Sequence, residues 1–124
     1  MSYEIIDHDF GVHIKFSGTY DSQTIREAAN EIINNFERNN LHYVIWDVNN
    51  ISKLGTKGKR ANLIASQLVL ISTHYPKLKI AIFDKDEKTK NDSNNLIFQV
   101  EIQKTGWEFK LFKDMQSIRA WLFS

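Results

Sequence analysis

Three basic side chains stand in the first turn of a predicted helix. Lys57, Lys59 and Arg60 open a long apolar-periodic stretch that begins near Thr56. A helix N-terminus carries about half a positive charge, so each cation there costs ~0.3 to 1 kcal/mol at low salt. One interpretation is an anion site, where backbone N–H groups and basic side chains bind a phosphate, a lipid headgroup or an acidic partner. The other is a solvated basic face, whose cost salt reduces to almost nothing.

Carboxylates and histidines offer a second kind of chemistry. Asp47 and Asp84 each follow an apolar run, and two carboxylates at one edge of a sheet are candidates for divalent-cation binding or acid–base work. Helix capping and loop solvation are the competing interpretation. The histidines have no metal-ligand spacing and are interpreted as structural or exposed: His8, His13, His42 and His74. The absence of cysteine excludes thiolate metal sites and cysteine nucleophiles.

The elements that position these residues follow from the hydrophobic pattern. Strands are predicted at Tyr3–His8, Val12–Ser17, Tyr43–Val48, Lys79–Phe83 and Trp107–Phe112. Gly18 is predicted to end the second strand, and the third is predicted to end near Asp47, where its apolar run stops. Helices are predicted from a cap at Asp21 or Ser22 to Asn39-Asn40, from about Thr56 to His74, from a cap at Ser93 to Lys104, and after a cap at Asp114. The order ββαβαβαβα predicts an α/β domain over residues 1–124. Its mixed, mostly parallel sheet carries an antiparallel N-terminal hairpin, and helices pack on it.

Composition narrows the function classes. A hydrophobic fraction of 42% and a charged fraction of 25% are typical of a globular protein. The formal net charge of +1 argues against a dedicated nucleic-acid binder, since such domains carry a clear basic excess. No segment reaches the roughly 18 consecutive apolar residues of a membrane span, and the acidic N-terminus is unlike a secretion signal. We therefore expect a cytoplasmic protein without a membrane span.

The order of elements and the C-terminal sequence resemble a known family. A strand with Asp47, a turn, and a helix opening near Thr56 are similar to the domain shared by sulfate transporters and anti-sigma-factor antagonists, the STAS-like fold. The ending DMQSIRAWLFS, with an aspartate followed by alanine, tryptophan and leucine, resembles the stand-alone bacterial branch grouped as STAS/SEC14-like. The resemblance covers essentially the whole chain and implies a non-enzymatic regulatory role.

The chain departs from that family at its phosphoswitch. In anti-sigma-factor antagonists a hydrophobic position precedes Asp-Ser-Ser-Gly, and the second serine is phosphorylated. Aligning Asp47, Ile51 and Leu54 on this pattern places residues 55–58, Gly-Thr-Lys-Gly, over those four positions. Lys57 then replaces the phosphorylated serine, although Thr56 keeps a neighbouring hydroxyl. The resemblance therefore does not carry over the kinase-controlled switch intact.

Two functions follow as hypotheses, neither with a cofactor or a metal. The first is a non-enzymatic regulatory or protein-interaction module, with self-association through the apolar helix from Leu63 to Tyr75. The second is a small-ligand or lipid carrier or sensor, which the SEC14-like resemblance suggests, with an anion site near Thr56 to Arg60. An enzymatic interpretation has no assembled set of residues behind it. The ligand- or partner-binding residues are predicted to be Asp47, Ser52, Gly55, Thr56, Lys57, Gly58, Lys59 and Arg60.

Overall fold

A computed structural model gives the fold, and it describes residues 3–20, 22–35, 41–54, 77–86 and 106–123. Within these ranges the strands are β1 (Tyr3–Asp7), β2 (Gly11–Tyr20), β3 (Tyr43–Leu54), β4 (Lys79–Phe83) and β5 (Glu108–Phe112). The described helices are α1 (Ser22–Asn35) and α2 (Met115–Leu122). The helices predicted at residues 56–74 and 93–104 lie outside the described residues. None of the described helices is long and apolar enough to span a membrane.

The described strands form one sheet in the order β1-β2-β3-β4-β5. β1 and β2 pair antiparallel as a hairpin, with Ile5 opposite Ile14, whereas β2, β3, β4 and β5 run parallel. The predicted α/β class and the mixed sheet with its antiparallel hairpin are therefore confirmed. Parallel strands begin at the same end of a sheet, so the first residues of β2, β3, β4 and β5 all meet at one edge.

The two faces of the sheet carry different cores. On the first face, parallel register places Val12 beside Val44 and Ile14 beside Trp46, and α1 adds Ala28 to this cluster. The second face carries Tyr43, Ile45, Ala81, Phe83 and Phe112, against which α2 packs its buried Ile118. Because side chains alternate along a strand, one-residue steps in β3 switch between the two cores. Both faces of β3 are therefore buried, as expected of a central strand.

The third strand is longer than predicted, and Asp47 lies in its middle. The strand continues to Leu54 and stays paired with β2 as far as Tyr20, so the prediction that β3 ends at Asp47 was wrong. Register shifts between Lys15 and Ser17, and again between Gly18 and Thr19, each place an extra residue on β3. These bulges interrupt the alternation of apolar side chains, which is why the segment after Asp47 was interpreted as a turn.

Gly18 was also predicted to end β2, and it does not. It lies within the strand at the second register shift, with φ of +69°, a left-handed conformation that L side chains rarely adopt. The C-terminal helix agrees with its prediction. Asp114 caps α2 by accepting a hydrogen bond from the Ser117 backbone N–H at 2.7 Å. Hydrogen bonds from the backbone and the side chain of Ser117 lower the pKa of the Asp114 carboxyl.

Candidate functional site

The predicted contact residues fall into three groups in the structure. Asp47 is buried on the second face of the sheet, and Ser52 is exposed near the end of β3. Residues 55–60, which include the predicted basic turn, lie outside the described residues. The predicted self-association helix from Leu63 to Tyr75 lies outside them as well. The described chain nevertheless assembles two features that bear on function: a buried histidine–aspartate pair and an aromatic groove.

The buried pair joins neighbouring strands. The Nε2 atom of His13 lies 2.9 Å from Oδ2 of Asp47, and the two residues are only 8% and 5% exposed. Register places His13 beside Ile45, so its side chain shares the second face with Asp47, two residues further along β3. The other oxygen of Asp47, Oδ1, accepts the backbone N–H of Asn49 at 3.0 Å. Both carboxylate oxygens are therefore hydrogen-bonded within the fold.

The hydrogen bonds of Asp47 favour its ionised form. Burial acts to raise the pKa of Asp47, but it is outweighed by the hydrogen bonds from His13 and Asn49 and by interaction with the charges of His13 and Lys15. The net result is a pKa below the ordinary aspartate value. Because an ionised carboxylate only accepts hydrogen bonds, the N–H at Nε2 of His13 is the donor and Oδ2 of Asp47 is the acceptor.

A second histidine, His8, lies between this pair and Tyr43 at the edge of the sheet. Nδ1 of His8 lies 3.0 Å from the hydroxyl of Tyr43, and the rings of His8 and His13 meet edge to face with centroids 6.4 Å apart. Burial, with a smaller contribution from the negative charge of Asp9, raises the pKa of Tyr43, so its phenol keeps its proton at neutral pH. A row of polar side chains thus runs from Tyr43 through His8 and His13 to Asp47.

Tyr43 also borders the aromatic groove, a cavity of about 630 Å³ at the edge where the parallel strands begin. Two phenylalanines on this groove, Phe10 and Phe123, are 58% and 65% exposed. Both rings meet a neighbour edge to face at 5.5 Å, Phe10 with His42 and Phe123 with Tyr43. The lining residues are Phe10, His42, Tyr43, Lys77, Leu78, Lys79, Gly106, Glu108, Leu122 and Phe123.

The two lysines of the groove differ in their contacts. Lys79 donates to the backbone oxygen of Trp121 at 3.2 Å, lies 3.8 Å from the Glu108 carboxylate, and sits 5.3 Å from the centre of the Trp121 ring. Its charge is thereby largely matched within the fold. Lys77 is exposed, and no salt bridge joins it to the described part of the chain. Among the described residues that line the groove, Lys77 is therefore the cation without an ion pair.

The arrangement gives little support to a metal site. The proposed carboxylate pair is separated by the register, because Asp47 lies beside Phe83 and alternation directs the next residue, Asp84, to the other face. Both aspartates are buried. Among the described residues, no group of three or more His, Asp or Glu side chains is placed to hold a metal ion.

Comparison with known proteins gives a likeness to a solved structure. No family model matches the chain, and no curated protein matches it. The crystal structure of an uncharacterized protein of the DUF3478 family from Shewanella loihica PV-4 matches with a TM-score of 0.55. The match covers 97% of this chain and 91% of that one, and that protein is described as having a SpoIIAA-like fold. The fold is SpoIIAA-like. At 17% sequence identity the likeness shows the fold alone, and it confirms the STAS-like resemblance drawn from the sequence.

Sequence reasoning missed both the His13–Asp47 pair and the aromatic groove. The sequence did contain a signal for the pair. Side chains alternate along β2, so His13 points to the other face of the sheet from Val12 and Ile14, and a sheet covered on both faces buries His13 as well. A buried histidine needs a polar partner, and Asp47 was the charged residue of the neighbouring apolar run. The groove had no comparable signal, because segments that are distant in sequence build it.

Proposed function

We propose that this chain is a non-enzymatic binding module of the carrier or sensor kind, with its ligand site in the aromatic groove. The observation that carries the proposal is the groove itself, a cavity of about 630 Å³ walled by aromatic and aliphatic side chains with a few polar groups. Small-molecule sites have volumes of roughly 300–1,000 Å³ and this kind of lining. The proposal moves the ligand from the predicted strand-to-helix junction to the opposite edge of the sheet.

The contacts of the polar residues support binding over catalysis. His13 and Asp47 do not line the groove, and both oxygens of Asp47 are occupied by hydrogen bonds. Within the groove the Lys79 ammonium is held by Trp121 and Glu108, and the Tyr43 hydroxyl is held by His8. A general acid or base needs access to the substrate. These groups serve the fold and the shape of the cavity.

Native mass spectrometry combined with a groove variant tests the proposal. We expect purified protein to retain a small molecule, or to bind added 4-phenylbutan-1-ol, and we expect Phe123→Ala to weaken either association. Gln116→Ala is the control, because Gln116 is an exposed residue of α2 that does not line the groove. The proposal would be contradicted if the purified protein held no ligand and if its amide NMR signals at Lys77, Gly106 and Phe123 did not shift when neutral or charged aromatic compounds were added.

The second candidate is a regulatory or protein-interaction module that uses the same surface. It is favoured by the exposure of Phe10 and Phe123, since clustered exposed aromatic side chains mark protein interfaces. A homodimer is the simplest such assembly, and light scattering at tens of micromolar distinguishes it from a monomer. A dimer that Phe123→Ala dissociates would favour this candidate over the carrier. A dimer insensitive to Phe123→Ala would direct attention to residues 63–75 instead.

A further inference from the structure

We infer that the ligand of the aromatic groove is a small organic anion, held by its apolar body against Phe123 and Leu122 and by its charge at Lys77. The inference rests on the proposed function, because it names the chemical class of ligand for the same groove. It places anion binding at the edge where the strands begin, whereas the sequence predicts an anion site at residues 56–60. Three features of the groove support the inference: its aromatic walls, the backbone at the start of the strands, and its side-chain charges.

The walls are preorganised for an apolar body. Phe123 follows the last turn of α2, where its backbone N–H donates to the Arg119 oxygen at 3.0 Å. The Phe123 ring stands perpendicular to that of Tyr43 at 5.5 Å, and the Phe10 ring is held in the same way by His42. These contacts favour the observed orientation of both phenylalanine rings, although each residue is more than half exposed. An aromatic or aliphatic ligand therefore finds ring surfaces that need little ordering.

The backbone at the start of the strands offers the ligand few donors. His42 N–H donates to the Phe10 oxygen at 2.7 Å, and Lys79 N–H donates to the His42 oxygen at 3.2 Å. Glu108 N–H donates to the Leu78 oxygen at 3.0 Å. These three backbone N–H groups are satisfied within the fold, so they are not available to an anion. A charged group on the ligand can instead be recognised by a side chain.

The side-chain charges favour a single negative charge on the ligand. Lys79 and Glu108 lie 3.8 Å apart and offset one another. Lys77 lies at the groove, exposed, and makes no ion pair within the described residues. A carboxylate beside Lys77 gains a charge-assisted hydrogen bond, whereas an ammonium there meets like charge. A monoanion with an apolar body is the ligand that satisfies both the walls and the charge of Lys77.

Three compounds with one body and different charge test the inference: 4-phenylbutyrate, 4-phenylbutan-1-ol and 4-phenylbutylammonium. We expect the carboxylate to bind about two- to fivefold more tightly than the alcohol, the range of a partly exposed ion pair. NMR shifts at the amides of Lys77, Gly106 and Phe123 report binding. Added salt should reduce the preference, because the charges are accessible to solvent.

Lys77→Gln and Lys85→Gln form a matched pair of variants. Both lysines are exposed and flank opposite ends of β4, but only Lys77 lines the groove. We expect Lys77→Gln to abolish the carboxylate preference while alcohol binding persists, and Lys85→Gln to leave both unchanged. Equal binding of the three compounds, or tightest binding of the ammonium, overturns the anion inference and leaves the carrier proposal standing. Binding of none of them overturns both.

Discussion

His13 and Asp47 are 34 positions apart in the chain, and their side chains meet at 2.9 Å inside the sheet. The bond joins β2 to β3 on the second face, where the register already aligns the two strands. A one-residue slip of β3 would move Asp47 to the apolar first face and leave both groups unpaired. The pair therefore favours one register of the central parallel strands, in addition to any contribution to stability.

Removing the carboxylate should weaken the fold. We expect Asp47→Asn to lower the free energy of unfolding by about 1.5 to 3 kcal/mol, the range for a hydrogen bond to a charged group. Urea denaturation measures it. Asp9→Asn is the control, because Asp9 is exposed and should change stability by less than about 0.5 kcal/mol. A double-mutant cycle with His13→Gln should show coupling, and strictly additive effects would mean that the pair is not an interacting unit.

The pair should also make stability depend on pH in the acidic range. The pKa of Asp47 in the folded protein lies below the ordinary aspartate value, because hydrogen bonds from His13 and Asn49 outweigh the effect of burial. A lowered folded-state pKa contributes stability above the unfolded value, and this is lost as pH falls through the folded value. The stability difference between the wild type and Asp47→Asn should therefore be full at pH 5 to 7 and shrink below about pH 4. Urea midpoints across this range measure it, and a constant difference would contradict the assigned direction.

Local patterns predicted those parts of the fold whose signals are local. The strand Lys79–Phe83 agrees with its prediction because its run of β-favouring apolar residues, Ile80 to Phe83, can be recognised from the local sequence alone. The α2 helix agrees because Asp114 supplies a cap, which short-range sequence reveals. The end of β3 was wrong because its bulges are defined by pairing with β2. A bulge is a relation between two strands, and neither strand alone encodes it in its alternation.

The candidate site was less predictable for the same reason. Asp47 was singled out from the sequence, but its partner His13 emerges only when the strand register is known. The groove depends on a wider convergence: the hairpin supplies Phe10, three strand starts supply its floor, and the end of α2 supplies Phe123. General rules favour the opposite edge of such sheets, where strands end. Those rules led the sequence interpretation to residues 55–60.

Crowding at Gly11 tests how firmly Tyr43 is held. A Cβ atom at Gly11 would lie 2.5 Å from Cε2 of the Tyr43 ring, so Gly11→Ala must displace that ring. We expect a loss of about 1 to 3 kcal/mol in unfolding free energy, typical of overpacking. The bond between Tyr43 and His8 should weaken, which the NMR signals of the His8 ring report. Retention of stability and of those signals would mean that Tyr43 adjusts without strain.

At Gly18 a side chain would have room, and the backbone conformation is what disfavours a substitution. Among the described residues, no atom beyond its two chain neighbours lies within 4 Å of a Cβ built at Gly18, yet the φ of Gly18 is +69°. We expect Gly18→Ala to destabilise by about 1 to 2 kcal/mol, the cost of a left-handed L residue. Gly18→Asn should cost less than Gly18→Ala, because asparagine enters this conformation more readily although it is the larger side chain. Urea denaturation of both variants decides the matter: if asparagine is the more destabilising, size governs the site and the left-handed bulge does not.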